Sequence, residues 1–70
     1  MKVLVVGSGG REHALAWKFA QSERVETVFV APGNAGSALE QGIKNIEIGS
    51  TDVEGLVNFA EREGIGITVI

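Results

Sequence analysis

Apolar residues in this chain fall into short blocks that follow two different periodicities. Residues 2–6 form a continuous, β-branched apolar run followed by glycine, which is typical of a strand buried on both faces of a sheet. Residues 25–31 form a second, β-branched and aromatic run that is followed by Pro-Gly and also predicts a strand. Residues 65–70 form another run of this kind, whereas residues 43–48 alternate isoleucine with polar residues more weakly. The pattern therefore predicts four strands.

Two other segments have helical spacing. Residues 11–22 contain apolar pairs three and four positions apart and lack glycine and proline, which predicts about three turns of helix. The second predicted helix has an apolar stripe made of Val53, Leu56, Val57 and Ala60. Thr51 and Glu54 have the spacing of a capping box at its start, and Gly64 is expected to end it. Residues 34–42 allow one further turn of helix.

The alternation of strands and helices predicts an α/β fold, an open parallel sheet of the Rossmann-like kind with helices on its faces. Right-handed crossovers give the strand order 3-2-1-4, with a switch point between strands one and four. Ligands of such sheets bind at the carboxyl ends of the strands at this point, which here means above residues 7–10. The sequence stops within the fourth apolar run without any turn residues, so we expect the domain to be incomplete there.

Size and charge exclude several classes of protein. Seventy residues suffice for one small domain, and nine acidic against six basic residues give a net charge of −3. That sign disfavours nucleic acid and anionic membranes as partners. The chain contains no cysteine, and its longest apolar run near the N-terminus is too short for a membrane span or a signal peptide. We therefore expect a soluble, cytoplasmic protein.

The first candidate site is the glycine-rich segment at residues 7–12, between strand one and helix one. Bare glycine amides and the positive end of a helix dipole favour a phosphate group, although the same turn could serve only as a connection. Arg11 lies in the first turn of the helix, where a cation opposes the helix dipole, and its position therefore suggests an anionic ligand beside it. Alternatively, Arg11 is solvated or pairs with Glu12. Glu12 is either a favourable charge at the helix end or an acceptor for a ligand hydroxyl.

A second loop follows strand two and lies on the same rim of the predicted sheet. Asn34 could donate from its amide to a phosphate or a ribose, but asparagine after glycine is also ordinary turn chemistry. His13 and Trp17 are more simply explained by packing of the first helix than by catalysis or stacking. The sequence contains no nucleophile–base pair and no cluster of metal ligands, so we expect no catalytic residue in this segment.

The glycine segment departs from the usual dinucleotide fingerprint. Glu12 occupies the position of the third glycine, and strand two ends without the acidic residue that would bind the ribose hydroxyls. The phosphate-loop pattern with Lys followed by Ser or Thr is also absent. A small sugar phosphate therefore fits the loop better than a nicotinamide dinucleotide.

Residues 5–18 (VVGSGGREHALAWK) and 30–36 (VAPGNAG) closely resemble the start of the glycinamide ribonucleotide synthetase family, the phosphoribosylamine–glycine ligases. The similarity covers essentially the whole chain. It implies an ATP-grasp ligase of purine biosynthesis, which joins glycine to 5-phosphoribosylamine as ATP is cleaved to ADP and phosphate. Residues 1–70 would then be part of the N-terminal, pre-ATP-grasp domain, and the ATP-grasp domains would lie outside this chain.

The resemblance also implies roles for individual residues. Those that resemble the phosphoribosylamine pocket and its rim are Gly9, Gly10, Arg11, Glu12, Pro32, Gly33 and Asn34. It implies that ATP, Mg²⁺ and glycine are held by the absent domains and that this segment alone is inactive. Two alternatives to the ligase stay open. One is a stand-alone module that binds a phosphorylated metabolite or a partner protein without catalysis, and the other is a nicotinamide dehydrogenase.

Overall fold

The computed structural model describes all of residues 1–70 and contains four strands and three helices. The strands are β1 (Lys2–Gly7), β2 (Thr27–Pro32), β3 (Ile43–Asn45) and β4 (Ile65–Val69). The helices are α1 (Gly10–Ala20), α2 (Ala35–Ala38) and α3 (Val53–Glu63). The predicted alternation of strands and helices is confirmed, and α2 is the single turn that residues 34–42 allowed.

The four strands form one parallel sheet in the order β3-β2-β1-β4, as predicted. β1 pairs with β2 from Lys2 opposite Thr27 to Gly7 opposite Pro32, and β4 lies on its other side. The winding reverses between β1 and β4, so their carboxyl ends form the switch point where ligands of such sheets bind.

Side chains of β1 alternate between two cores because successive residues of a strand point to opposite faces. Val3 and Val5 pack with Ala16 of α1 on one face, and Leu4 and Val6 pack against α3 on the other. All five of these residues are buried, and only Val6 retains slight exposure. The two longer helices therefore cover opposite faces, and α1 begins directly above the end of β1.

The start of α3 differs from the prediction. Its N-cap is Asp52, whose carboxylate accepts a hydrogen bond from the amide of Gly55 at 3.0 Å. The capping box predicted for Thr51 and Glu54 is wrong, because a helix that begins at Val53 places Glu54 outside the N3 position. A carboxylate cap also interacts favourably with the helix dipole, which an uncharged hydroxyl does far less. Gly64 ends the helix in the left-handed conformation, as predicted.

The buried face of α3 is rotated from the predicted stripe. Val53 and Val57 are 69% and 49% exposed, so their assignment to the apolar contact face is wrong. Phe59 is buried instead, with its ring centroid 5.0 Å from that of Phe29 in an edge-to-face contact, and Leu56 packs beside them. One large aromatic ring fixes which side of the helix meets the sheet.

β3 is shorter than the predicted strand at residues 43–48. Ile46 still donates from its amide to the carbonyl of Val30 at 2.9 Å, but Ile48 then donates to the carbonyl of Ile46 at 2.9 Å. A hydrogen bond across two residues closes a tight three-residue turn, which ends the extended backbone. Asn45 therefore lies at the carboxyl end of β3, on the same rim as the glycine loop.

Candidate functional site at the carboxyl rim

The loop after β1 presents a row of backbone amides with no partner. Gly9 is the N-cap of α1 and supplies no side-chain cap. The first backbone amide to find an acceptor is that of His13, which donates to the carbonyl of Gly9 at 3.1 Å. The five amides of residues 8–12 donate to no other group of the chain. Unpaired donors at the positive end of an eleven-residue helix can accommodate an anion.

Glu12 partly covers this loop. Its side chain lies against Gly7, which has φ +144°, and a Cβ added to Gly7 would collide with the Glu12 Cγ. A Cβ at Gly9 would lie 3.1 Å from Glu12 Oε2, whereas one at Gly10 would meet no atom within 4 Å. The carboxylate thus occupies the inner part of the bend and leaves the side nearest Gly10 open.

Arg11 projects from the first turn of α1 and is highly exposed. Its Nη2 lies 4.0 Å from Glu12 Oε1, at the limit of an ion pair. An exposed pair of this length contributes little to stability, so the guanidinium can turn toward a ligand. The arrangement places one cation and one carboxylate within reach of the open amides.

A cavity of about 250 Å³ lies beside the loop at the switch point between β1 and β4. Its lining consists of Val5, Val6, Arg11, Glu12, Leu15, Val69 and Ile70. Five of these seven residues are apolar and two are charged, a composition common in sites for small polar ligands. Arg11 and Glu12 are therefore brought together with a hollow, as a ligand site requires.

The loop after β2 is joined to the glycine loop by hydrogen bonds. Gly33 donates from its amide to the carbonyl of Gly7 at 3.0 Å. The side-chain amide of Asn34 donates to the carbonyl of Ser8 at 2.8 Å and lies 3.4 Å from that of Gly9. Pro32, at the end of β2, follows a cis peptide bond. All seven residues singled out in the sequence therefore lie on one rim.

Asn34 also has a local structural role, as its turn sequence allowed. Its side-chain oxygen accepts a hydrogen bond from the backbone amide of Ser37 at 2.9 Å. The Ser37 hydroxyl in turn accepts one from the backbone amide of Asn34 at 2.9 Å. These reciprocal bonds form a capping box at the start of α2. Much of the hydrogen-bonding capacity of Asn34 is thus used within the protein.

Asn45 belongs to the same rim and was missed in the sequence. Its side-chain amide donates to the Asn34 carbonyl at 2.9 Å, and its oxygen lies 2.8 Å from the Ser37 hydroxyl. Nothing in the local sequence marks this asparagine, because the predicted strand continued past it. Its position at the carboxyl end of the third strand of a parallel sheet was the one signal that could have identified it.

His13 and Trp17 lie on the side of α1 that faces α2. His13 Nε2 is 3.2 Å from Glu40 Oε1, and a Cβ on Gly36 would lie 2.8 Å from the His13 ring. His13 therefore has the packing role that was expected of it. Trp17 is 48% exposed, so its packing is incomplete.

No three acidic or histidine side chains converge in an arrangement that could hold a metal ion. Neither of the two longest helices, α1 and α3, combines the length and the apolar character needed to cross a bilayer.

Comparison with known proteins relates the whole chain to one family. The family model described as "Phosphoribosylglycinamide synthetase, N domain" matches residues 1–70. Proteins named phosphoribosylamine–glycine ligase from Allochromatium vinosum and Escherichia coli K12 are each 64% identical to the chain, and one from Vibrio cholerae is 57% identical. Each alignment covers 100% of this chain and 16% of the relative. The chain belongs to the phosphoribosylglycinamide synthetase family and corresponds to its N domain.

Proposed function

We propose that this chain forms part of the phosphosugar-binding site of a phosphoribosylamine–glycine ligase. The reaction would join glycine to 5-phosphoribosylamine as ATP is cleaved to ADP and phosphate, in purine biosynthesis. Support comes from family membership, from the names of the relatives, and above all from the five unpartnered amides at residues 8–12. Because the chain spans about a sixth of the length of those relatives, the activity belongs to a longer protein in this proposal.

The phosphate would bind at the outer side of the bend. A Cβ at Gly10 meets no atom within 4 Å, so a phosphate oxygen can approach the amides of residues 9–11 from that side. Helix-terminal amides stabilise negative charge through both hydrogen bonds and the dipole. Arg11 would swing toward the phosphate and offset the repulsion that Glu12 exerts on it.

The sugar would bind beside the bend, in the adjoining cavity that Glu12 helps to line. A carboxylate only accepts hydrogen bonds, so it suits ribose hydroxyls and repels a phosphate. The adjoining cavity of about 250 Å³ is smaller than the ~300–1,000 Å³ usual for larger organic ligands. We propose one sugar phosphate, and not a dinucleotide, as the ligand because the dinucleotide fingerprint is absent from the loop.

The remaining reactants would be held elsewhere in the longer protein. In this proposal ATP and Mg²⁺ bind to parts of the longer protein outside these seventy residues. We propose that the chain binds and orients the phosphosugar in the cytoplasm and is inactive as a ligase by itself. Pro32, Gly33 and Asn34 would support the rim of this site.

The test uses the full-length protein that carries this chain. We expect this protein to release ADP only when both glycine and the phosphosugar are present. Arg11→Ala should raise the KM for the phosphosugar about three- to tenfold, which is the loss typical of one charge-assisted hydrogen bond at an exposed site. Arg24→Ala removes an exposed arginine at the amino ends of the strands, opposite the carboxyl rim, and should leave this KM unchanged. Absence of phosphosugar-dependent ADP release would contradict the proposal.

A non-catalytic binding module is the second candidate, favoured by the fact that the loop, the cavity and Arg11 all lie within this one chain. It predicts binding of ribose 5-phosphate by the seventy-residue chain without any ligase activity in the longer protein. The two functions are distinguished by the assay for ADP release.

A further inference from the structure

A set of polar contacts connects three loops at the carboxyl rim. The loops follow β1, β2 and β3, and the contacts run from Ser8 through Asn34 to Asn45. Ser37 of α2 lies among them and is only 1% exposed, with its hydroxyl near both asparagines. Every buried side-chain polar atom of the protein has a partner.

The orientation of both asparagine amides is determined by their partners. A carbonyl can only accept and a backbone amide can only donate. The Asn34 nitrogen must therefore face the Ser8 carbonyl, since its oxygen faces the Ser37 amide. The Asn45 nitrogen must likewise face the Asn34 carbonyl at 2.9 Å.

The contacts of Asn34 bear directly on the glycine loop. A peptide group is planar, so the carbonyl of one residue and the amide of the next point in opposite directions. Hydrogen bonds from Asn34 to the carbonyls of Ser8 and Gly9 therefore direct the amides of Gly9 and Gly10 away from Asn34. These amides belong to the unpartnered row at residues 8–12.

We propose that Asn45 is a positioning residue for phosphosugar binding, acting through Asn34 on the amides of Gly9 and Gly10. The inference rests on the proposed function. Asn45 anchors the backbone of Asn34 and fills the space beside Gly33, where a Cβ would collide with the Asn45 side chain. Ser37 and Ala38 also donate to the Asn34 carbonyl, so loss of Asn45 removes one of its contacts and loosens, without abolishing, the direction of the two amides.

The experiment measures the dissociation constant of ribose 5-phosphate with the full-length protein, together with the KM for ATP and the melting temperature. Asn45→Ala should weaken binding of ribose 5-phosphate about three- to tenfold, the effect of one lost hydrogen bond. The KM for ATP and the melting temperature should change little, because Asn45 is exposed. Asn58→Ala, at an exposed position on α3, is the matched control and should change neither.

A double variant tests the route through Asn34. In the background of Asn34→Ala, the substitution Asn45→Ala should weaken binding no further, because the link to the loop is already lost. Additive effects of the two substitutions would overturn the inference, as would unchanged binding in Asn45→Ala. A parallel loss of ATP affinity and melting temperature would also overturn it, because that result indicates a structural role.

Three further outcomes are distinguishable. If Asn45→Ala does not fold, Asn45→Ser, which keeps a small polar side chain, is measured in the same way and judged by the same criteria. If the unsubstituted protein does not bind ribose 5-phosphate, the proposed function fails and the positioning role fails with it. If the unsubstituted protein binds and Asn45 has no effect, only the positioning role fails.

Discussion

The side chain of Glu12 lies against Gly7, across the bend between β1 and α1. Gly7 has φ +144°, a conformation that residues with a Cβ rarely adopt. Helix and strand therefore approach closely here with a carboxylate between them, whereas the dinucleotide fingerprint places a third glycine at the position of Glu12. This contact separates the loop from a nicotinamide-binding turn and leaves only its outer side open.

Gly7→Ala should destabilise the protein by about 1–3 kcal/mol, because the new Cβ combines an unfavourable φ with a collision against Glu12. Urea denaturation followed by circular dichroism measures the loss. Gly10→Ala is the control, since its Cβ enters open space, and it should range from no change to a gain of about 0.5 kcal/mol. Equal effects of the two substitutions would contradict the geometry of the bend.

Asp52→Ala should destabilise the protein by about 1 kcal/mol, because it removes the carboxylate that caps α3 at the Gly55 amide. Thr51→Ala should stay within about 0.5 kcal/mol of the unsubstituted protein, since that hydroxyl makes no capping contact. Both values come from denaturation curves. A larger loss of stability for Thr51→Ala than for Asp52→Ala would show that Thr51, and not Asp52, caps the helix.

Phe59→Ala should destabilise the protein by about 3–5 kcal/mol, because it empties a buried site and removes the edge-to-face contact with Phe29. Such a loss equals the ~3–5 kcal/mol that a core of this size supplies, so the variant should be largely unfolded by circular dichroism. Val57→Ala, on the exposed side of the same helix, should remain folded. The opposite ranking would show that α3 packs through the predicted stripe.

The sheet could be predicted from the sequence because it depends on signals that repeat. Buried parallel strands are continuous apolar runs, and the handedness of their connections then leaves few possible orders. The details of α3 could not be predicted in the same way. Thr51 and Asp52 are both acceptable caps and lie next to each other, so only the packing of the helix decides between them.

The rotation of α3 has a similar cause. The apolar residues of this helix include Val53, Val57 and Phe59, which cannot all face the sheet at 3.6 residues per turn. Phe59 buries the most apolar surface and therefore sets the face, at the expense of the two valines. A helical pattern alone does not rank these alternatives.

The glycine loop could be predicted as a candidate site because its glycines stand between a strand and a helix. The contribution of Asn45 could not, since it depends on where β3 ends and on the proximity of Asn34 in space. Residues brought together by topology carry no signal in a single sequence.

The most direct test of the central claim is a titration of the ¹⁵N-labelled protein with ribose 5-phosphate, followed by ¹H–¹⁵N spectra. The account predicts saturable shifts of the amide signals of residues 8–12, a weaker response in Arg11→Ala, and no shift at Arg24, at the amino ends of the strands. Unchanged signals for Gly9 and Gly10 at millimolar ribose 5-phosphate would contradict it.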